Sequence, residues 1–205
     1  FLLLAELDAR NKVAVDPARW RYFTQPSPGS GNSAGVTTLG AVISDLQFTP
    51  QRPTDADEIL VLARIRPTFD AVTNVTLRYR VMFSNEVAMA MFDDGAHGDG
   101  LAGDGVYAAT IPASASSPGQ MVRWYVSAMD ASGAPSRLPL WEVGLEAPQY
   151  FGTVVLNPAI TSPLPLFEYF IQDTNWYKLP NNGAYSKEAI TNASIYYAGR
   201  FYDNV

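Results

Sequence analysis

The chain has 205 residues and a formal net charge of −6, with 14 Lys and Arg against 20 Asp and Glu; this acidic balance, with no basic cluster anywhere, excludes a nucleic-acid footprint. It contains no cysteine, which removes disulfide staples, thiolate metal sites and a cysteine nucleophile. The length allows one well-buried domain with flanks, and 15 Gly, 15 Pro and 17% charged residues lean toward an all-β protein outside the cytoplasm, in the periplasm, at the cell surface or secreted.

The opening Phe1-Leu2-Leu3-Leu4-Ala5 is far shorter than a membrane span and meets Glu6, Asp8 and Arg10 at once, so no transmembrane segment is expected there. A start without methionine suggests a processed or incompletely represented polypeptide. Residues 1–37 read as an N-terminal arm that closes in the linker Gln25-Pro26-Ser27-Pro28-Gly29-Ser30-Gly31-Asn32-Ser33.

Beyond it the pattern becomes strand-like. Residues 41–48 give a first strand; 59–65 place Ile59, Val61, Ala63 and Ile65 on one face; 75–83 alternate Val75, Leu77, Tyr79, Val81 and Phe83 against Thr76, Arg78 and Arg80. Residues 87–92 and 106–111 follow. In 121–129, Val122, Trp124 and Val126 alternate with Arg123, Tyr125 and Ser127, which puts Trp124 in the core and Arg123 on the outside. A last strand is expected near 137–143. Short strands punctuated by Pro50, Pro53, Pro67, Pro112, Pro118 and Gly133 fit an immunoglobulin-like or fibronectin-III-like antiparallel sandwich over 38–146.

Between two of these strands runs Asp93-Asp94-Gly95-Ala96-His97-Gly98-Asp99-Gly100-Leu101-Ala102-Gly103-Asp104-Gly105-Val106-Tyr107. Asp93, Asp94, Asp99 and Asp104 have the chemistry to offer oxygens to calcium, the one cofactor in view, though the spacing is not that of an EF-hand. The other reading is a Gly-rich turn whose aspartates bond their own backbone. His97 is the sole histidine; with no Gly-x-Ser-x-Gly elbow for it to serve, it reads as a solvated loop residue.

From residue 147 composition shifts to Pro, Asn and Tyr, and 147–205 read as an irregular aromatic-rich arm. Within it 164–171 are strand-like or a short helix, and 175–187 a loop. Phe167, Tyr169, Phe170, Trp176, Tyr177, Tyr196, Tyr197, Phe201 and Tyr202 suit a small satellite core, a protein interface or a sugar-stacking platform, since large amphipathic rings give contact area at small entropic cost.

Three segments in this order resemble large secreted bacterial proteins of the CotH kinase family. Arg21-Tyr22-Phe23-Thr24-Gln25-Pro26-Ser27-Pro28-Gly29-Ser30-Gly31-Asn32 is similar to the exit of a lamin-tail-like module. Residues 92–107 with Val122-Arg123-Trp124-Tyr125-Val126-Ser127-Ala128-Met129-Asp130 are similar to the immunoglobulin-like spacer of such proteins. Ser162-Pro163-Leu164-Pro165-Leu166-Phe167-Glu168-Tyr169-Phe170-Ile171 and Ala193-Ser194-Ile195-Tyr196-Tyr197-Ala198-Gly199-Arg200-Phe201-Tyr202-Asp203-Asn204-Val205 resemble the opening of the CotH-like region. The resemblance implies that the nucleotide-binding and catalytic acids would follow Val205, so none is assigned to this chain.

Together these features point to a non-catalytic extracytoplasmic accessory protein that scaffolds a larger assembly through its arms, with other protein subunits as partners. The alternatives are the N-terminal fragment of a secreted CotH-like kinase, with ATP and Mg²⁺ chemistry downstream, and a carbohydrate-binding module.

Overall fold

Alternation of apolar and polar side chains at period two dictates strands that bury one face, and strands are what form. The computed structural model describes residues 6–7, 13–14, 39–140, 148–172 and 193–204. The strands in chain order are β1 (Glu6–Leu7), β2 (Val13–Ala14), β3 (Val42–Thr49), β4 (Ile59–Arg66), β5 (Val72–Val81), β6 (Val87–Ala90), β7 (Val106–Ile111), β8 (Met121–Asp130), β9 (Pro135–Leu138), β10 (Phe151–Val154), β11 (Phe167–Phe170), β12 (Ser194–Tyr197) and β13 (Arg200–Asp203). Among the described residues the only helical piece is a 3-10 turn, Ala113–Ala115, and no helix is long and apolar enough to cross a membrane.

All pairings are antiparallel. One layer is the three-stranded sheet β3-β4-β7; the facing layer is five-stranded, in the order β10-β8-β5-β6 with β9 also on β8. Ile59, Val61, Ala63 and Ile65 of β4, Val75, Leu77 and Tyr79 of β5, and Val122, Trp124, Val126 and Ala128 of β8 form the shared core, none more than 7% exposed. Each large aliphatic side chain buried this way contributes about 1.5–3 kcal/mol. Trp124 is fully buried and meets Phe48 in a T-shaped ring pair with centroids 4.9 Å apart. The layers thus form the immunoglobulin-like sandwich that the alternation predicts.

Several boundaries differ from the sequence-based expectation. Strand β5 stops at Val81 because Met82 turns to φ 52°, so Phe83 leaves the sheet. The edge partner of β8 comes in two pieces: β9 pairs Val126–Met129 and β10 pairs Met121–Trp124. The first piece ends before Pro139, which has no N–H to donate. The strand expected at 137–143 is therefore Pro135–Leu138, with 141–147 outside the described residues. The sandwich sheet also runs past residue 146, to Val154.

The C-terminal segment, expected to be irregular, forms a third sheet, β11-β12-β13. Its hairpin turns through Ala198 and Gly199, at φ 49° and 80°, the double positive φ that a two-residue turn matching strand twist requires. The strand-like reading of 164–171 holds for Phe167–Phe170; the loop assigned to 175–187 lies outside the described residues. Of the N-terminal arm, the pairing of β1 with β2 is described.

Candidate interaction surface

Strict alternation gives the third sheet two unlike faces. Its register sets Phe167, Tyr197 and Arg200 in one cross-strand row and Tyr169, Ile195 and Tyr202 in the next, both on the outer face. The rows between them, Glu168–Tyr196–Phe201 and Phe170–Ser194–Asp203, face the sandwich. Exposure follows: Phe167, Tyr169 and Tyr202 are 68%, 55% and 43% exposed, whereas Phe170 and Tyr196 are 9% and 3%. Phe167 stacks flat on Tyr197 with ring centroids 4.0 Å apart.

The inner face is fastened to the sandwich in two ways. Phe170 and Tyr196 pack with Met121 and Val154 in a second apolar cluster, joined by Met82, Phe83 and Phe201. The Phe201 ring also lies directly on Gly152, where an added Cβ would come within 2.6 Å of it. Arg52 reaches Glu168 at 2.9 Å and sits 5.3 Å over the Tyr196 ring.

A buried ion pair is the second fastening. Asp203 accepts hydrogen bonds from Ser194 Oγ at 2.9 Å, from the backbone N–H groups of Gln149 and Tyr150 at 3.0 Å each, and from Arg123 Nη1 at 3.4 Å. Arg123 donates its other terminal nitrogen to the Met82 carbonyl at 2.8 Å and lies about 5 Å over the Tyr150 and Phe83 rings. Burial pushes the Arg123 guanidinium below its ordinary range, and Asp203 pulls it back up; an arginine stays charged through such a shift. Beside it Tyr150 donates to Glu86 Oε1 at 2.7 Å and Tyr125 to Glu86 Oε2 at 3.1 Å. Burial, with Glu86 adding to it, raises both phenols above their ordinary value. The Arg137 guanidinium is 3.7 Å from the Tyr125 ring centroid.

The acidic run satisfies itself. Asp93 Oδ1 accepts from the N–H groups of Gly103 at 2.8 Å and Asp104 at 3.2 Å, and its Oδ2 from Gly105 at 2.9 Å. Asp99 accepts from Gly95 N–H at 2.7 Å and His97 N–H at 3.1 Å. Asp94 meets Ala96 N–H and His97 Nδ1, both at 2.9 Å, and Asp104 takes Val106 N–H at 2.9 Å. Gly95, Gly98, Gly100, Gly103 and Gly105 all have positive φ, so the loop curls around its own carboxylates. The His97 hydrogen bond holds Asp94 below the usual carboxylate range, and the Gly95 N–H does the same for Asp99. His97 stacks on Phe92 with centroids 4.4 Å apart. Among the described residues no three acidic, His or Cys groups converge as a metal site; Asp93, Asp94, Asp99 and Asp104 each accept backbone N–H hydrogen bonds within the run.

The structure therefore splits the aromatic set. Phe167, Tyr169, Tyr197 and Tyr202 share the outer face, Phe170, Tyr196 and Phe201 join the sandwich contact, and Trp176 and Tyr177 lie outside the described residues. The sequence reading missed the Arg123–Asp203 pair because Arg123 alternates with core residues as any solvent-facing side chain does. The signal that carries it is the tail's own alternation, which puts Ser194, Tyr196, Phe201 and Asp203 on one face.

The sandwich places the described body of the chain among immunoglobulin-like modules. In keeping with this, residues 44–136 match the family model of the conditioned medium factor second Ig-like domain. The matched stretch runs from within β3 to within β9, so it covers both layers and stops short of β10 and the third sheet. A comparison with curated proteins finds no match to the chain.

Proposed function

We propose that this chain is a non-catalytic module outside the cytoplasm that holds a larger assembly together, with other protein subunits docking on the outer face of β11-β12-β13. The observation that carries this reading is the two-faced third sheet: one face fastened to the sandwich by buried groups, the other presenting Phe167, Tyr169 and Tyr202 exposed. Aromatic residues set on a rigid element are the usual anchors of protein interfaces, because they add contact area without much entropy to lose. The fastening makes that face rigid. An immunoglobulin-like sandwich supports a structural or interaction role, and the phrase conditioned medium factor in the matched family's description supports a place outside the cell interior.

The test is gentle purification of the native protein, followed by size-exclusion chromatography with light scattering and mass spectrometry. A stoichiometric complex is expected, and Phe167→Ser with Tyr169→Ser should dissociate it while leaving the melting temperature of the isolated chain within a few degrees. A stable lone monomer sinks the proposal.

A further inference from the structure

Residues of β13, of β10 and of the end of β3 line a cleft of about 340 Å³, within the range of small-ligand pockets. Phe48, Phe151, Phe201 and Tyr202 line it together with Gln51 and Arg200; Tyr202 is the exposed ring among them, whereas Phe201 is packed on Gly152. No acidic residue lines it, and Arg200 is its only charged group. Arg200 is exposed and, among the described residues, has no carboxylate partner.

We propose that this cleft binds an acidic saccharide: a pyranose ring carrying a carboxylate, as in a uronic-acid polysaccharide. The exposed Tyr202 ring offers a face, negative in the π-cloud, that receives the partly positive C–H hydrogens of a sugar ring. The Gln51 amide donates to the Phe48 carbonyl at 2.6 Å, which leaves its oxygen free to accept from a sugar hydroxyl, while the Tyr202 hydroxyl can both donate and accept. Arg200 supplies the fork that a carboxylate takes in two parallel bonds.

The chain's net charge of −6 opposes an anion at long range. That repulsion is screened over roughly 8–10 Å at physiological salt, whereas a guanidinium in contact is not, so the local charge decides. The proposal goes beyond the scaffold reading and stands without it: absence of sugar binding would leave complex formation untouched.

Isothermal titration calorimetry on the full chain tests it, with tetragalacturonate and its fully methyl-esterified form as ligands. The acid should bind about tenfold or more tightly than the ester, the scale of one charge-assisted contact. Arg200→Gln should erase that difference without changing the circular dichroism spectrum, and Tyr202→Ala should weaken both ligands. The proposal is overturned by no binding of the acid at about 1 mM, where a millimolar Kd would register, by equal affinity for acid and ester, or by full affinity in Arg200→Gln. Preferential binding of a short peptide with a free C-terminal carboxylate would equally overturn it and assign the cleft to a protein ligand.

Discussion

Asp203 gathers four donors on two oxygens, and its side chain is 1% exposed. Asp203→Ala strands the Arg123 charge in a buried site, so a loss of about 3–5 kcal/mol is expected, read from urea unfolding as a lower midpoint. Replacing both partners by apolar residues, Arg123→Met with Asp203→Leu, should recover only part of it. The ion pair itself can be exchanged for packing, but the Gln149 and Tyr150 N–H groups would remain unsatisfied at about 1–3 kcal/mol each. Full recovery in the double variant would show that the backbone contacts carry no weight. Protons act at the same scale. Asp94, Asp99 and Asp130 have carboxyls held below their ordinary value, chiefly by bonds from His97, Gly95 and Ser132 respectively. Protons therefore bind the unfolded chain more tightly. The stability these groups confer is present above about pH 4, the ordinary carboxylate pKa, and is lost as pH falls through the lower folded values. The melting temperature should hold between neutral pH and about 5 and drop below about 4, with a shallower drop in Asp99→Asn.

At the scale of elements, the contact between β10 and β13 depends on one missing side chain. Gly152→Val would drive its Cβ into the Phe201 ring, which lies within 2.6 Å of that position, and overpacking of this kind costs about 1–3 kcal/mol. The hairpin β12–β13 should give way before the sandwich does, because the large buried cluster lies on the other side of β8. Hydrogen exchange should therefore rise in 193–204 while β4 and β5 stay protected; uniform loss of protection would contradict this. Strand β4, whose burial alternates strictly, was legible from alternation alone; β8 was legible in its core face, but its other face is buried too, by groups far along the chain. The division of the β8 edge between β9 and β10 was not legible, because nothing local says that residues on either side of a long excursion return to one strand.

For the whole molecule, the third sheet packs on β10, the edge strand of the sandwich, so the sandwich continues past residue 146 into the tail. A chain cut after residue 146 keeps the stretch that matches the Ig-like family model but exposes the β8 edge at Met121–Trp124 and leaves Arg123 without Asp203. An open apolar edge of this kind promotes association. The truncated chain should melt at lower temperature than the full chain and aggregate in light scattering; equal stability would support a boundary at 146.

The sequence by itself determined what short-range physics can determine: an acidic, cysteine-free chain of alternating strands, the Trp124 core, an aspartate- and glycine-rich connection between two strands and an aromatic tail. Only the tertiary structure decided that the tail is a sheet with an inner and an outer face, that Arg123 is buried rather than solvated, and that Asp203 is its partner. The physical reason is distance along the chain. Alternation reports which side of a strand a residue takes, but burial of the outer side depends on a segment 80 residues away, and no local pattern encodes that encounter.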